Sequence, residues 1–200
     1  VTGRYDGSSV FGENNKFAFF PSGALAWRIS EEPFLRASEN ISNLKIRTSY
    51  GVSGNQAINP YQTLARVNST SIVLNNQQVA ANYLGSLPNP NLKWESTAQF
   101  DLGIDLGLYK DRIQFTVDYY NKKTTNLLLP VNLPGSSGFG SVLENVGSVQ
   151  NRGYEFQLTT KNIVGNGFNW SSTLTVSHNK TKVLSLGTDV TGKPITYEEY

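Results

Sequence analysis

The chain has 200 residues, a net charge of +2 and no cysteine. Its 17 basic and 15 acidic residues are mixed along the sequence, which gives no electrostatic case for nucleic-acid binding. The lack of cysteine excludes disulfides, thiolate metal sites and a cysteine nucleophile.

Alternation of apolar and polar residues predicts a series of β-strands. In chain order the predicted strands are Val1–Ser9, Lys16–Ile29, Leu44–Ser53, Ser96–Leu108, Ile113–Lys122, Val149–Thr160 and Phe168–Val183. Pro21 lacks the donor that a ladder needs, so we expect a bulge or a sheet edge at this position. A short helical turn is expected near Glu31–Ala37, within the connector Ser30–Asn43.

The strand Ser96–Leu108 has the clearest two-faced pattern. One parity contains Phe100, Leu102 and Ile104, whereas the other contains Asp101 and Asp105. On the other strands the polar parity carries Arg28, Lys45, Arg47, Asp118 and Glu155. All three tryptophans, Trp27, Trp94 and Trp170, fall on the apolar parity near strand ends.

Long and short connections alternate along the chain. The long connections are Gly54–Pro90, Leu129–Ser148 and the tail from Gly187 to Tyr200, all with little periodicity. The short connections are Tyr109–Asp111 and Asn162–Gly167, the latter with a strong Gly-Asn-Gly turn signal. In a meander, alternate connections lie at the same end of the sheet, so we expect one end with long loops and one with short turns.

Two architectures fit these patterns. An outer-membrane barrel has long extracellular loops, short periplasmic turns, a polar lumen and aromatic girdles. A soluble β-sandwich also alternates, but it turns its apolar face inward against a second sheet. Strand length and the one-sided loops favour the barrel, and a soluble all-β carbohydrate-binding module remains the alternative.

Short motifs along residues 1 to 185 resemble, in sequence and order, the SusC/RagA-type TonB-dependent transporters of Bacteroidetes. The strongest is Asn89–Glu95 (NPNLKWE), followed by Phe100-Asp101-Leu102-Gly103. The other motifs are Arg4–Phe11, Phe20–Ser22, Trp27–Glu32, Leu44–Asn55, Asp118–Thr124, Asn145–Gly147 and Asn151–Glu155. Val10 departs from the family, in which arginine is common at this position.

The resemblance implies an all-β fold, an up-and-down transmembrane barrel of 22 strands. Residues 1–200 would supply roughly a third of that barrel, and we expect an interior fragment or processed chain without the plug domain or the closing strands. The implied location is the outer membrane, in contact with its lipid. The implied partners are a SusD-like surface lipoprotein, the TonB complex and a glycan or oligopeptide substrate.

Five residues of the long loops are candidates for substrate contact: Tyr61, Gln62, Tyr83, Phe139 and Asn145. Aromatic rings stack on the apolar faces of sugars and peptides, and amides both donate and accept hydrogen bonds. The alternative is that these side chains pack the loops against each other or against the lipoprotein.

No catalytic residue, metal site or cofactor is predicted. Asp101, Asp105 and Asp118 share the polar parity of two strands, but we expect them to pair with basic lumen residues or to face the plug rather than to act as an acid–base pair. His178 is the only histidine, which excludes a histidine metal cluster.

Overall fold

The computed structural model describes residues 1–165 and 167–187. Asn166 of the predicted Gly165–Gly167 turn, and residues 188–200 of the predicted tail loop, lie outside this description. The strands are β1 Thr2–Gly7, β2 Phe17–Arg28, β3 Ile41–Asn55, β4 Arg66–Leu74, β5 Gln77–Ser86, β6 Glu95–Leu108, β7 Ile113–Thr125, β8 Leu128–Asn132, β9 Ser141–Asn145, β10 Ser148–Val164 and β11 Asn169–Ser185. In this part of the chain, no helix has the length and apolarity to cross a membrane.

Seven strands form one antiparallel sheet in the order β1-β2-β3-β6-β7-β10-β11. Successive strands of this sheet follow one another along the chain, apart from two inserted hairpins. Its longest strands, β10 and β11, have 17 residues each. At about 3.3 Å per residue they exceed the roughly 9–11 residues that a tilted strand needs to cross a bilayer.

The inserted hairpins correct the prediction for the two long loops. Residues 54–90 contain the hairpin β4–β5, and residues 129–148 contain most of the hairpin β8–β9. Asn75 and Asn76 turn the first hairpin with φ angles of 51° and 60°, and asparagine tolerates this left-handed conformation better than most residues. Most side chains on both faces of this hairpin are exposed, so its sequence has no regular alternation.

Both hairpins extend from the same end of the sheet, as predicted for the long loops. The 4-residue turn between β6 and β7 lies at the opposite end, and it places Tyr109, Lys110 and Asp111 at positive φ. The connector between β2 and β3 is also at this short-turn end. It contains the expected helical turn, in which Arg36 N–H donates to Glu32 O at 2.8 Å.

Pro21 marks an edge rather than a bulge. The β1–β2 ladder runs through Gly3 and Pro21 without a register shift. The ladder between β2 and β3 begins only at Ser22, which pairs with Gly51. Toward the long-loop end, β2 and β3 therefore have no backbone pairing with each other.

The two faces of the sheet differ as the alternation predicts. On the apolar face of this sheet, exposed hydrophobic side chains occur on β1, β2, β3, β6 and β11. On β7 the hydrophobic side chains of this face are half-buried, and on β10 half-buried ones occur together with the exposed Tyr154. Leu25 on β2 is 76% exposed and Ile104 on the central strand β6 is 40% exposed. In the described residues no second sheet covers this face, and the buried hydrophobic residues Phe11, Phe20 and Leu92 lie at the long-loop end.

The apolar band crosses the strand register diagonally. In one register row, Ile46, Ile104, Val117, Phe156 and Val176 are all apolar. A second row passes through Ala98, which lies six residues before Ile104 on β6 and closer to the long-loop end. This row consists of Val52, Ala98, Lys123, Gln150 and Lys182. The band therefore ends earlier on β7, β10 and β11 than on β3 and β6, as expected when strands tilted about 35–45° from the barrel axis cross a horizontal apolar layer.

Candidate functional site

The two hairpins approach each other at the long-loop end and enclose a cavity of about 440 Å³, named here the rim cavity. One wall is the base of the β4–β5 hairpin and includes Arg66, Tyr83 and Ser86. The opposite wall is the tip of the β8–β9 hairpin and includes Phe139. Two aromatic rings thus face a shared space with polar groups at its edge, which suits an oligomer with both apolar and polar faces.

Three of the five candidate residues from the sequence line this cavity. Gln62 joins Tyr83 and Phe139 in its wall, although the three lie far apart in the chain. Tyr61 is not in the wall; it is 71% exposed and has a φ angle of 66°. The neighbouring side chain of Gln62 already makes one hydrogen bond within the loop, because its Oε1 accepts from Asn59 N–H at 2.9 Å.

Asn145 occupies a different position and contacts the main chain of other segments. Its Oδ1 accepts from Lys93 N–H at 2.8 Å, and its Nδ2 donates to Lys93 O at 2.7 Å and to Asn126 O at 3.0 Å. A side-chain amide that forms hydrogen bonds with the main chain at Lys93 and at Asn126 holds these two segments together. The geometry thus favours the packing alternative for Asn145 over substrate contact.

Arg66 is a cavity residue that the sequence did not indicate. Its Nε lies 3.5 Å from Ser86 Oγ, and in the described residues its guanidinium takes part in no ion pair. A guanidinium offers five N–H donors in a planar fork that matches carboxylates. Arg66 therefore supplies the cavity with a cation that has donors free for an acidic ligand.

The segment Asn89–Glu95 supports the rim cavity from below. Asn89 donates from Nδ2 to Leu143 O at 2.8 Å, while its Oδ1 accepts from Asn91 N–H at 3.1 Å. Leu143 itself lines the cavity. This motif therefore connects the start of β6 to the strand β9 that forms one wall.

A small aromatic core holds the same segment on its other side. Leu92 is fully buried, and the Trp94 ring centroid lies 5.4 Å from that of Phe11 and 5.5 Å from that of Phe20. Trp94 also donates from Nε1 to Lys16 O at 3.1 Å. The expectation that all three tryptophans share the apolar face is wrong for Trp94, because it packs under the loops in the gap between β2 and β3.

Trp27 and Trp170 do lie on the apolar face and are about half exposed, at 54% and 52%. Both are near the short-turn end of the sheet. Trp27 donates from Nε1 to Glu32 Oε1 at 2.9 Å, so its polar edge is directed toward the connector. This arrangement is typical of interfacial tryptophans, which keep the ring in lipid and the N–H in a polar layer.

The polar face contains an ionic cluster on β3, β6 and β7. Arg47 donates to both carboxylate oxygens of Asp105 at 2.9 and 3.1 Å, and to Asp118 Oδ1 at 2.9 Å. Lys45 Nζ lies 3.9 Å from Asp105 Oδ2. This pairing with basic residues matches the expectation for Asp105 and Asp118.

Asp101 is satisfied by neutral partners. Ser49 Oγ donates to its Oδ2 at 3.0 Å and Gln99 Nε2 donates to its Oδ1 at 2.8 Å. No two of the three aspartates are left free to act as an acid and a base. In the described part of the chain, no group of three or more His, Cys, Asp and Glu side chains is placed to hold a metal ion.

Comparison with known proteins adds independent information. A family model described as TonB dependent receptor-like, beta-barrel matches residues 1–198. TonB-dependent receptor P26 of Formosa agariphila is 48% identical over 187 residues, which cover 94% of this chain and 19% of that protein. TonB-dependent receptor SusC of Bacteroides thetaiotaomicron is 37% identical over 199 residues, covering 94% of this chain and 19% of that protein.

Solved structures match the fold. A structure titled as the RagAB peptide transporter superposes with a TM-score of 0.79 at 31% identity, over 90% of this chain and 20% of the matched chain. The RagAB peptide importer in the "open-open" state gives a TM-score of 0.81 at 30% identity, over 94% and 20%. The chain thus spans about a fifth of the length of these relatives.

Proposed function

Because this chain belongs to the TonB dependent receptor-like β-barrel family, we propose that it forms part of the wall and extracellular rim of an outer-membrane importer. The substrate is a glycan or an oligopeptide, captured at the rim before it enters the lumen. The polar face lines that lumen and the apolar face contacts lipid. The family, which includes SusC- and RagA-like transporters, is established by the comparisons. The substrate, the partners and the location are proposed here.

The observation that carries this proposal is the exposed apolar face of a single seven-stranded sheet. A soluble carbohydrate-binding module would cover this face with a second sheet to remove it from water. A barrel wall leaves it in contact with lipid and turns its charged face inward. The Arg47 cluster on the opposite face follows that rule, which favours the importer over the soluble module.

The rim cavity supports the choice of substrate class. Tyr83 and Phe139 offer ring faces, while Gln62 and Arg66 offer polar contacts. The free donors of Arg66 favour a substrate that carries a carboxylate, which both acidic glycans and peptides possess. Two of the matched structures are titled as a peptide transporter or importer, so oligopeptides are the first class to test.

A SusD-like surface lipoprotein is the proposed partner above the rim. The tip of the β4–β5 hairpin presents Val73 and Leu74 at 72% and 59% exposure, at the end of the molecule that is opposite the short turns. Contact with a partner would remove these exposed apolar side chains from water. TonB-driven opening of the lumen would act through parts of the relatives that this chain does not span.

The test uses the full-length protein in its own host. A deletion strain should lose growth on one class of polymer, either peptides or one glycan, and regain it when the full-length gene is restored. The protein should fractionate with the outer membrane, and deletion of an adjacent SusD-like gene should reproduce the growth defect. Recovery of the protein in a soluble fraction, or unchanged growth on all tested polymers, would refute the importer.

A further inference from the structure

The apolar face ends, toward the long-loop end of β7, β10 and β11, in four basic residues. These residues, named here the basic patch, are Lys123, Arg152, Lys180 and Lys182. The register puts them on one face: Arg152 lies opposite both Asn121 and Lys180, while Gln150 lies opposite both Lys123 and Lys182. All four side chains are exposed.

The patch has no acidic partner in the described residues. None of its members takes part in an ion pair there. The remaining residues of its two register rows on these strands, Asn121 and Gln150, are neutral and bond to each other, with Gln150 Nε2 donating to Asn121 Oδ1 at 2.9 Å. Arg152 and Lys180 are directly opposed, an arrangement in which like charges repel. Such a set of neighbouring cations attracts an anionic ligand.

The position of the patch defines where that anion lies. Two residues closer to the short-turn end on the same face are Tyr119 and Tyr154, with ring centroids 5.2 Å apart. Paired tyrosines at the end of an apolar band are typical of a membrane–water interface. Two residues span about 7 Å along a strand, so the basic patch lies at the depth of the lipid headgroups.

We propose that the basic patch binds the phosphate groups of a phosphorylated glycolipid in the outer leaflet. This inference rests on the proposed placement in the outer membrane with the long loops outside. Four cations on neighbouring strands match the multiple negative charges of such a headgroup, and the long Lys and Arg side chains reach it along the strand surface. The contact fixes the depth and the rotation of this part of the wall in the membrane.

The direct test measures binding of lipid A to the full-length receptor in detergent. The binding of phosphorylated lipid A is compared with that of the same lipid A after removal of its phosphate, and with inorganic phosphate. The variant with Lys123, Arg152, Lys180 and Lys182 all changed to Gln should bind phosphorylated lipid A at least about tenfold more weakly than the wild type, because each basic residue contributes to attraction near a charged surface.

Lys122→Gln is the matched control. Lys122 is the neighbour of Lys123 on β7 but lies on the polar face, opposite Gln99 and Asn151. Its neutralisation removes the same charge and should leave lipid binding unchanged. Arg152→Gln alone should weaken binding, and Arg152→Lys should restore most of it, which keeps the test valid if the fourfold variant does not fold.

Equal binding of phosphorylated lipid A by the wild type and the Arg152→Gln or fourfold variants would overturn the inference. So would equal binding of dephosphorylated lipid A, or a loss as large in Lys122→Gln. Binding of inorganic phosphate as tight as that of lipid A would also overturn it, because the patch would then be a site for free anions. Failure of the proposed function is seen separately, since it would appear as loss of outer-membrane location in the wild type.

Discussion

Arg47 on β3 and Asp118 on β7 form an ion pair of 2.9 Å across the strand that separates them. The residue between them in the register is Gly103 of β6, which pairs with Arg47 on one side and with Asp118 on the other. A Cβ at this position would overlap Asp118 Oδ1 and lie 2.7 Å from Arg47 Nη2. The absence of a side chain at residue 103 therefore permits the ionic cluster to span three strands.

We expect Gly103→Ala to destabilise the full-length barrel. The added methyl group displaces either the aspartate or the guanidinium and so breaks their ion pair, which costs about 1 kcal/mol for a partly exposed pair. Urea unfolding of the receptor in detergent, followed by loss of the compact band on semi-native gels, measures the change.

Gly135→Ala is the control for this substitution. A Cβ at Gly135 would have no atom within 4 Å, and the residue does not have a positive φ. Its effect should stay within about 0.5 kcal/mol. Equal stability of the two variants would show that the cluster tolerates a side chain at residue 103.

A lysine on the apolar face should be far more damaging than one on the polar face. Val117 lies in the all-apolar register row and faces outward, so Val117→Lys places a charge in lipid near mid-depth, at a cost of about 2–4 kcal/mol. Gln157, opposite Thr116, lies at nearly the same depth on the polar face. Gln157→Lys should cost less than about 1 kcal/mol.

The readout is assembly of each variant into the outer membrane, together with its unfolding midpoint in detergent. Normal assembly of the Val117→Lys receptor, with stability equal to the Gln157→Lys variant, would contradict the assignment of lipid to the apolar face.

Replacement of Asn145 should loosen the rim but leave the wall intact. Asn145→Ala removes two exposed hydrogen bonds to Lys93 and a part-buried one to Asn126, and leaves the part-buried Asn126 carbonyl without this partner. An unsatisfied group costs about 1–3 kcal/mol. Hydrogen exchange of Lys93 N–H should accelerate at least about fivefold, with little change in exchange along β6.

The control for this experiment is Asn132→Ala. Asn132 ends β8, is exposed, and its side chain makes no hydrogen bond in the described residues. If Lys93 exchanges at the same rate in the wild type, Asn145→Ala and Asn132→Ala proteins, the amide does not hold the segment in place.

Arg66 should discriminate between acidic and neutral substrates. Removal of its charge in Arg66→Gln takes away a charge-assisted contact of about 1.5–3 kcal/mol, or roughly a 10- to 100-fold loss in affinity. The loss should apply to substrates with a carboxylate and not to the same substrates after amidation or reduction of that group. Arg66→Lys should retain part of the affinity, since it keeps the charge but not the planar fork.

Binding of matched acidic and neutral oligomers to the full-length receptor checks this prediction. Tyr83→Ala serves as a comparison, since it should weaken both ligands by a similar factor through loss of a ring face. If Arg66→Gln weakens both ligands equally, the arginine shapes the cavity and does not select a carboxylate.

Much of the wall could be predicted from the sequence, because the two faces of the sheet have opposite surroundings, one apolar and one polar. A charge facing lipid or a bare apolar face in the lumen is penalised, so residues such as Phe100 and Asp101 alternate strictly. The predicted partial barrel and the resemblance to SusC/RagA-type transporters are confirmed by the family match and by the structural relatives.

The rim was less predictable for a physical reason. The hairpin β4–β5 exposes side chains on both faces, so no period of two marks it, and only the Asn75-Asn76 pair indicates its turn. Asn145 acts through main-chain groups of Lys93 and Asn126, which carry no sequence signature. Arg66 was indistinguishable from a solvated strand cation until the fold brought Phe139 opposite to it.

The gap between β2 and β3 above Ser22 has a mechanical consequence. Ladder hydrogen bonds stop there, and the seam is closed by the packing of Phe20 against Trp94 and by the single hydrogen bond from Trp94 Nε1 to Lys16 O. Aromatic contacts slide and reform more readily than a strand ladder breaks. The part of the rim carried by β1 and β2 can therefore move relative to the part carried by β3 without breaking backbone hydrogen bonds between strands. The mouth of the barrel is thus more deformable at this seam than elsewhere in the sheet.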